Sequence, residues 1–235
     1  CLSEVMNVPG VLQNDPALMA KIKAARTNNK PIDGHAPDLR GKELALYIEA
    51  GISTDHESLS KEEALEKLGL GMNIQIREGS AAKNLDELIP LAQEHAERCM
   101  FCSDDKHPDD LMAGHIDTMV RRAIGHGIDT INALRMASLN PIRHYGLDVG
   151  LLQVGDAADF LIIDGFSTMN ILKTFINGRL VAEAGRTLMK QSAKQNINRF
   201  STGEKVVSDF AIKAKNQKVH VIEAHDGQLV TGHLI

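Results

Sequence analysis

The feature that most constrains the fold of this chain is the regular alternation of two patterns along its first 138 residues. Short apolar runs are followed by stretches in which apolar residues recur every three or four positions. This alternation is typical of parallel strands joined by crossover helices. The predicted strands are Leu2–Met6, Pro31–His35, Ile52–His56, Met72–Arg77 and Arg98–Ser103. The predicted helices are Pro16–Arg26, Gly41–Ala50, Lys61–Leu68, Leu85–Ala96 and Asp129–Ser138.

Two of these helices begin with the pattern of a capping box. Ser60 stands three residues before Glu63, and Asn84 stands three residues before Glu87. In a capping box the first side chain accepts a hydrogen bond from the backbone three residues later. We therefore expect Ser60 and Asn84 to be N-caps.

A side chain that can bind a metal ion or a substrate stands at or near the end of each predicted strand. These positions are 21 to 31 residues apart, about one strand and one helix each. If the strands are neighbours in a parallel sheet, the five groups meet at one rim, as they do at the C-terminal face of a (β/α)8 barrel. The five residues are Glu4, His35, His56, Glu78 and Asp104.

This combination of imidazoles and carboxylates favours Zn, Mn or Fe(II) over Ca or Mg as a bound metal. Polar strand ends that surround a site without metal are the alternative from spacing alone. Motifs of other chemistries are missing from the sequence: it has no G-x-S-x-G elbow, no phosphate loop and no H-E-x-x-H helix. Among these classes, the sequence therefore favours a site assembled from strand ends.

The character of the sequence changes after about residue 145. Residues 146–188 contain short apolar runs separated by glycines, with the hairpin signal Asn177-Gly178 between two of them. We predict a small β appendage there. For residues 189–235 we predict the start of a further β-containing domain, with strands at Val206–Ile212 and Val219–Ile222. Residues 1–145 are then a first unit that holds the barrel strands.

The composition of the chain limits the kinds of molecule that we expect it to bind. The net charge is −5, which provides no general basic surface for nucleic acid. The apolar runs are far shorter than the ~18 residues of a membrane helix, and three cysteines make no even disulfide framework. We expect a cytoplasmic protein that acts on a small molecule, with neither nucleic acid nor a membrane as partner.

Several short motifs resemble those of the bacterial adenine deaminases of the amidohydrolase superfamily. The segment 150–164 is similar to the β appendage of the whole superfamily, whereas five strand-end motifs together are specific to the adenine deaminases. These motifs are Glu-Val-Met-Asn at 4–7, Asp-Gly-His-Ala-Pro at 33–37, Ser-Thr-Asp-His-Glu at 53–57, Arg-Glu-Gly-Ser at 77–80 and Cys-Ser-Asp-Asp-x-His-Pro-Asp-Asp-Leu at 102–111.

The resemblance implies a partial (β/α)8 barrel, about strands 4–8, followed by a small β domain. It also implies hydrolysis of adenine to hypoxanthine and ammonia by hydroxide activated at a pair of divalent ions, with Mn favoured and Fe or Zn as alternatives. Glu4 would bridge the two ions and His35 and His56 would bind one of them.

Four further roles follow from the same resemblance. Asp104 would bind the second ion and carry a proton. Arg77 and Glu78 would face the purine, and Asp105 is a further candidate substrate contact. We also expect a homo-oligomer.

One expected part of the pattern is missing. The first-strand His-x-His of the superfamily does not occur in these 235 residues. We therefore expect a fragment of a longer enzyme that lacks the N-terminal part and is inactive by itself. Two alternatives stay open: an amidohydrolase for another cyclic amidine or amide, and a non-catalytic remnant that associates through its barrel edge.

Overall fold

A parallel sheet of five strands is the centre of the molecule. The computed structural model describes residues 1–190, 198–213, 215, 218–228 and 231–235. The strands lie in sequence order and every neighbouring pair is parallel. They are β1 (Leu2–Val5), β2 (Ile32–Gly34), β3 (Thr54–Asp55), β4 (Asn73–Arg77) and β5 (Cys99–Cys102). All five predicted strands are confirmed, each shorter than expected, and β3 is reduced to two residues.

Helices connect these strands, as parallel pairing requires. The first four are α1 (Val8–Leu12), α2 (Pro16–Thr27), α3 (Gly41–Glu49) and α4 (Lys61–Gly69). They are followed by α5 (Leu85–Leu88) and α6 (Ala92–His95), and then by α7 (Pro108–Ala113), α8 (Ile116–Gly125), α9 (Thr130–Ala137) and α10 (Leu139–Tyr145). None of the helices in the described part of the chain is long and apolar enough to cross a membrane.

The predicted helix Leu85–Ala96 is wrong as a single element. It is divided into α5, a 3-10 turn at Ile89–Leu91, α6 and a second 3-10 turn at Ala96–Arg98. Pro90 lies in the first of these turns. Proline has no backbone N–H and its ring clashes with the carbonyl four residues earlier, so a regular α-helix cannot continue through it.

The two predicted N-caps have different outcomes. The Ser60 hydroxyl accepts a hydrogen bond from the backbone N–H of Glu63 at 3.2 Å, as expected. Asn84 occupies the N-cap position of α5 but its side chain makes no capping hydrogen bond. Its side chain bonds instead to loops at the strand ends, as described below. That part of the prediction is wrong because tertiary partners displace the local one.

Apolar side chains pack on the helix-facing side of the sheet. Ile74 and Ile76 of β4 are buried in one cluster with residues of α5, α8 and α9, and Ile32 is buried in a second cluster with residues of α2 and α3. The alternate residues Gln75 and Arg77 of β4 make polar contacts on the opposite side. Because side chains alternate along a strand, polar functional groups are collected on one face.

Two smaller antiparallel sheets follow. The first is formed by β6 (Phe160–Ile163), β7 (Ile171–Ile176), β8 (Arg179–Glu183) and β9 (Arg186–Thr187). The predicted hairpin is confirmed, since Asn177 and Gly178 connect β7 and β8 and both have positive φ.

The α/β fold class is confirmed, because a parallel sheet with helices between its strands is followed by antiparallel sheets. The boundaries of the three predicted units stay a prediction.

The second small sheet pairs β10 (Val221–Glu223) with β11 (Gly232–Leu234). The predicted strand Val219–Ile222 overlaps β10, but the predicted strand Val206–Ile212 is wrong. Residues Val207–Phe210 form a 3-10 turn. The carboxylate of Asp209 accepts a hydrogen bond from the backbone N–H of Val206 at 3.1 Å, and this local bond closes a turn instead of leaving the backbone free for a strand.

Candidate metal centre

Glu4, His35 and His56 meet where the first three strands end. Glu4 lies in β1, His35 directly follows β2, and His56 directly follows β3. The distance from His56 Nε2 to Glu4 Oε2 is 2.9 Å, and from His35 Nδ1 to Glu4 Oε1 it is 3.8 Å. One ligand atom from each of the three side chains lies within 4.8 Å of the other two. A single ion could therefore contact all three.

The histidine nitrogens in this group suit a metal ion. Nδ1 of His35 and Nε2 of His56 are buried and have no hydrogen-bond partner among the described residues, although Glu4 is close to both. A buried polar atom without a partner is costly unless something else satisfies it. Burial lowers the pKa of His35 below its usual 6.5, although the Glu4 carboxylate opposes this effect. The neutral imidazole that binds metal is thus favoured.

A second group of possible ligands contains His56, Glu57 and Asp104, again with one atom from each within 4.8 Å of the others. Asp104 lies two residues beyond β5 at φ 39°, in the left-handed region that Asp tolerates better than most residues. Glu57 is buried and its Oε1 is 3.7 Å from His35 Nδ1 and 3.5 Å from His56 Nε2.

The sequence analysis did not select Glu57. It assigned one functional group to each strand end, and His56 already filled that position. The signal was nevertheless present, because Glu57 is the next residue in the Asp-His-Glu motif at 55–57. A strand that ends and turns can direct two consecutive side chains toward the same rim.

Arg77, the last residue of β4, connects the carboxylates of this rim. Its guanidinium pairs with Glu57, and its Nη2 is 2.6 Å from Asp104 Oδ2 and 3.2 Å from Asp105 Oδ1. The side chain is buried. Arg77 therefore neutralises part of the negative charge around the candidate ligands.

Hydrogen bonds within the protein fix both carboxylate oxygens of Asp105. Oδ1 accepts a hydrogen bond from Arg77, and Oδ2 accepts one from the backbone N–H of Ala81 at 3.1 Å. Burial raises the pKa of this carboxyl, but these hydrogen bonds outweigh it and the pKa falls below its usual value. The carboxylate thus fastens the loop that follows β4.

The structure does not bring Glu78 into either ligand group. Its Oε1 pairs with Arg122 of α8 at 2.8 Å, and its Oε2 is buried without a hydrogen-bond partner among the described residues. Arg77 thus pairs with acidic side chains of the rim, whereas its neighbour Glu78 pairs with a basic side chain of α8. Whether it faces a substrate stays a prediction.

Three residues outside the two candidate ligand groups stabilise these strand ends, namely Tyr47, Gly34 and Asn84. The Tyr47 hydroxyl of α3 accepts a hydrogen bond from the backbone N–H of His35 at 3.1 Å and donates one to the carbonyl of Val5 at 2.5 Å. Gly34 leaves the space for this contact, because a Cβ atom there would lie 2.7 Å from Ile52 Cγ2 and 3.0 Å from the Tyr47 hydroxyl.

The third of these residues is Asn84. Its side-chain oxygen accepts a hydrogen bond from the backbone N–H of Arg77 at 2.6 Å, and its amide nitrogen donates to the carbonyls of His56 and Ser58. The ends of β3 and β4 are thereby connected.

A parallel sheet with histidine and carboxylate side chains grouped at its C-terminal rim is typical of the class of (β/α) barrel proteins, whose sites are built from strand ends. The sequence pattern of the amidohydrolase family matches residues 2–181. The chain belongs to the amidohydrolase family.

Similar proteins support this assignment. The chain is 53% identical over 231 residues to an adenine deaminase of Salinibacter ruber, covering 98% of this chain and 42% of that protein. It is 51% identical over 230 residues to an adenine deaminase of a Sulfurovum species, covering 98% and 43%. The chain thus spans less than half the length of these curated relatives.

Among solved structures, the β-aspartyl dipeptidase of Fervidobacterium islandicum has a similar fold, with a TM-score of 0.56 and 19% identity over 82% of this chain and 55% of that chain. At this identity the similarity concerns the fold alone. It agrees with a partial barrel as the core of this protein.

Proposed function

We propose that this chain supplies the metal-binding rim of an enzyme that deaminates adenine hydrolytically, giving hypoxanthine and ammonia. The observation that carries the proposal is the meeting of Glu4, His35 and His56 within 4.8 Å. The relatives named adenine deaminase, at 44 to 53% identity, support the choice of substrate.

Glu4, His35 and His56 would hold one divalent ion, and Asp104 would contribute to a second. Mixed nitrogen and oxygen ligands suit Mn, Fe and Zn alike, and among these the resemblance to the adenine deaminases favours Mn. A divalent ion bound there would lower the pKa of a water molecule toward neutrality and so supply a nucleophile at neutral pH.

Asp104 is the proposed proton carrier. Its carboxylate accepts a proton from the water whose oxygen adds to C6 of adenine, and passes it to the ring nitrogen on which charge develops. The proton of the new C6 hydroxyl then passes through the same carboxylate to the exocyclic nitrogen as the C6–N bond breaks, so that ammonia leaves and C6 keeps a carbonyl oxygen. Arg77, 2.6 Å from Asp104 Oδ2, fixes the orientation of this carboxylate.

Arg77, Glu78 and Asp105 are the proposed substrate-side residues. Asp105 is about one-third exposed, whereas Arg77 is buried and already pairs with Glu57, Asp104 and Asp105. This supports a role for Arg77 in orienting the acidic groups around the purine. A small purine base as ligand, a homo-oligomer and a cytoplasmic location stay predictions from the sequence.

A replacement experiment tests the proposal. The region of the Salinibacter ruber adenine deaminase that aligns with this chain is replaced by the chain, and release of hypoxanthine from adenine is measured with added Mn²⁺. We expect deamination that falls about 100-fold or more in kcat/KM with His35→Ala or Asp104→Asn.

The control for this experiment is His126→Ala. His126 is exposed and pairs with Asp86, away from both ligand groups, so its loss leaves the rate unchanged. A folded chimera that hydrolyses a pyrimidine or a hydantoin but not adenine would instead support the alternative of an amidohydrolase that acts on another cyclic amidine or amide. A folded chimera that binds no metal would overturn the proposal and favour the non-catalytic remnant.

A further inference from the structure

Helix α4 carries a lysine that is completely buried. The Nζ atom of Lys67 lies 2.6 Å from the carbonyl oxygen of Ala36, 2.9 Å from Asp55 Oδ2, 2.5 Å from Glu63 Oε1 and 3.2 Å from Ser58 Oγ. Lysine is almost never fully buried unless it is paired. The packing of four oxygen atoms around one ammonium is therefore a built feature that needs an explanation.

Three of these oxygen atoms, those of Ala36, Asp55 and Ser58, belong to the two segments that carry the candidate histidine ligands, and the fourth belongs to Glu63 of α4 itself. Ala36 directly follows His35, and Asp55 directly precedes His56. The two loops are also bonded to each other, since Asp55 Oδ1 accepts from the backbone N–H of Ala36 at 2.8 Å. Ser58 donates to Asp55 Oδ2 at 2.7 Å.

Glu63 strengthens the same connection one helical turn earlier. Its Oε1 accepts a hydrogen bond from the backbone N–H of Asp38 at 3.0 Å, and its Oε2 accepts one from the backbone N–H of Leu59, also at 3.0 Å. Asp38 lies in the loop after His35, and Leu59 lies in the loop after His56. One face of α4 therefore holds both loops through Glu63 and Lys67.

We propose that Lys67 is a positioning residue that fixes the distance between His35 and His56, acting through the carbonyl of Ala36 and the carboxylate of Asp55. This inference rests on the proposed metal site. The affinity of a site for its metal depends on supporting groups that hold each metal-binding side chain in its bound orientation. The loss of such a group typically lowers metal affinity about 10- to 100-fold.

The physical consequence of removing the ammonium follows from its surroundings. Without it, the buried carboxylates of Asp55 and Glu63 lose their shared cation, and the Ala36 carbonyl loses a partner. These groups then separate or admit water, because an unpaired charge in an apolar interior is unfavourable. Movement of Ala36 or Asp55 displaces the adjacent histidine.

The test consists of two titrations of the 235-residue chain. Binding of Mn²⁺ is monitored through the electron paramagnetic resonance signal of the free ion, and binding of Co²⁺ is monitored through its visible absorption spectrum. We expect the unmodified chain to bind both ions. Lys67→Met is expected to lower the affinity about 10- to 100-fold and to change the Co²⁺ spectrum at saturation, because the two imidazoles no longer hold the same geometry.

Two further variants separate positioning from general loss of stability. Leu88→Ala removes a fully buried apolar side chain of α5 that makes none of the polar contacts around Lys67, so it lowers the thermal midpoint but leaves Mn²⁺ affinity and the Co²⁺ spectrum of the folded protein unchanged. Lys42→Met, on exposed surface of α3, changes neither property. Ser58→Ala is a milder variant for the case in which Lys67→Met does not fold, and it weakens Mn²⁺ binding several-fold.

The outcomes distinguish the two proposals. If the unmodified chain binds neither ion, the proposed metal site fails and this inference fails with it. If the unmodified chain binds both ions and Lys67→Met, or Ser58→Ala in its place, leaves affinity and spectrum unchanged, the positioning role alone is overturned. Reduced affinity together with an altered spectrum, in contrast to Leu88→Ala, supports it.

Discussion

The Nη2 atom of Arg77 and the Oδ2 atom of Asp104 are 2.6 Å apart, so the end of β4 holds the side chain that follows β5. The same guanidinium pairs with the buried Glu57. One cation thus connects two of the acidic groups closest to the histidines.

This relationship makes Arg77 important for stability. Arg77→Gln leaves the Glu57 carboxylate buried without its cation, and breaking a buried pair in this way typically costs about 3–5 kcal/mol. The contribution of Asp104 is small because that side chain is about one-third exposed. Urea denaturation measures the loss as a fall in the free energy of unfolding.

The matched control is Arg121→Gln, on the exposed surface of α8. There we expect a change within about 0.5 kcal/mol. Equal unfolding free energies for the two variants would contradict the assigned role of the Arg77–Glu57 pair.

Gly34→Ala should be destabilising because there is no room for a methyl group. The added Cβ would clash most closely with the backbone carbonyl oxygen of Thr54 in β3, and it would lie 2.7 Å from Ile52 Cγ2 and 3.0 Å from the Tyr47 hydroxyl, so the backbone before His35 must shift. Overpacking of this kind typically costs about 1–3 kcal/mol. Differential scanning calorimetry of the variant is expected to give a lower Tm.

Gly125→Ala provides the comparison, since a Cβ atom at the end of α8 meets nothing within 4 Å. We expect its Tm to be unchanged or slightly raised, because alanine restricts the unfolded chain more than glycine does. A drop in Tm of the same size in both variants would show that crowding at Gly34 is not the cause.

Tyr47→Phe removes one oxygen and leaves two backbone groups without a partner. The His35 N–H loses its acceptor and the Val5 carbonyl loses its donor. A buried group left unsatisfied costs about 1–3 kcal/mol. Amide hydrogen exchange should be faster at His35 in the variant, and protection there equal to that of the unmodified chain would argue against the contact. Leu46→Ala on the exposed face of the same helix is the control.

Metal binding should depend on pH in a defined direction. Burial lowers the pKa of His35 below 6.5, so this imidazole is neutral at pH 7 and gains a proton only as the pH falls below that value. Because protons compete with the ion for the nitrogen, affinity is expected to be nearly constant from pH 8 to 7 and to fall below about pH 6.5.

Isothermal titration with Mn²⁺ at several pH values measures this dependence. Glu4→Gln, which removes the carboxylate closest to both imidazoles, is expected to weaken binding at every pH. Affinity that stays constant from pH 8 to 5 would contradict the involvement of His35.

The sequence was sufficient to predict the five strands and the meeting of Glu4, His35 and His56. Both depend on strong local patterns, the alternation of strand and helix and the position of polar groups at strand ends. Glu57 was missed because a pattern of one group per strand does not describe how the chain turns after His56. Asn84 was assigned to a local cap, although its amide reaches the ends of two strands.

The supporting residues could not be predicted for a related reason. Tyr47 and Lys67 occupy ordinary helical positions, and their importance depends on which loops lie beside them in three dimensions. Distances between segments 12 to 42 residues apart decide these contacts, and no short motif encodes them.

Tyr47 belongs to α3 and Lys67 to α4, so both supports for the histidines come from the helical layer around the sheet. A designer who transplanted only the three ligand-bearing strand ends into a foreign barrel would obtain the correct donor atoms on unsupported loops. The smallest transferable unit is therefore β1 together with the two strand and helix repeats that follow it, outer helices included.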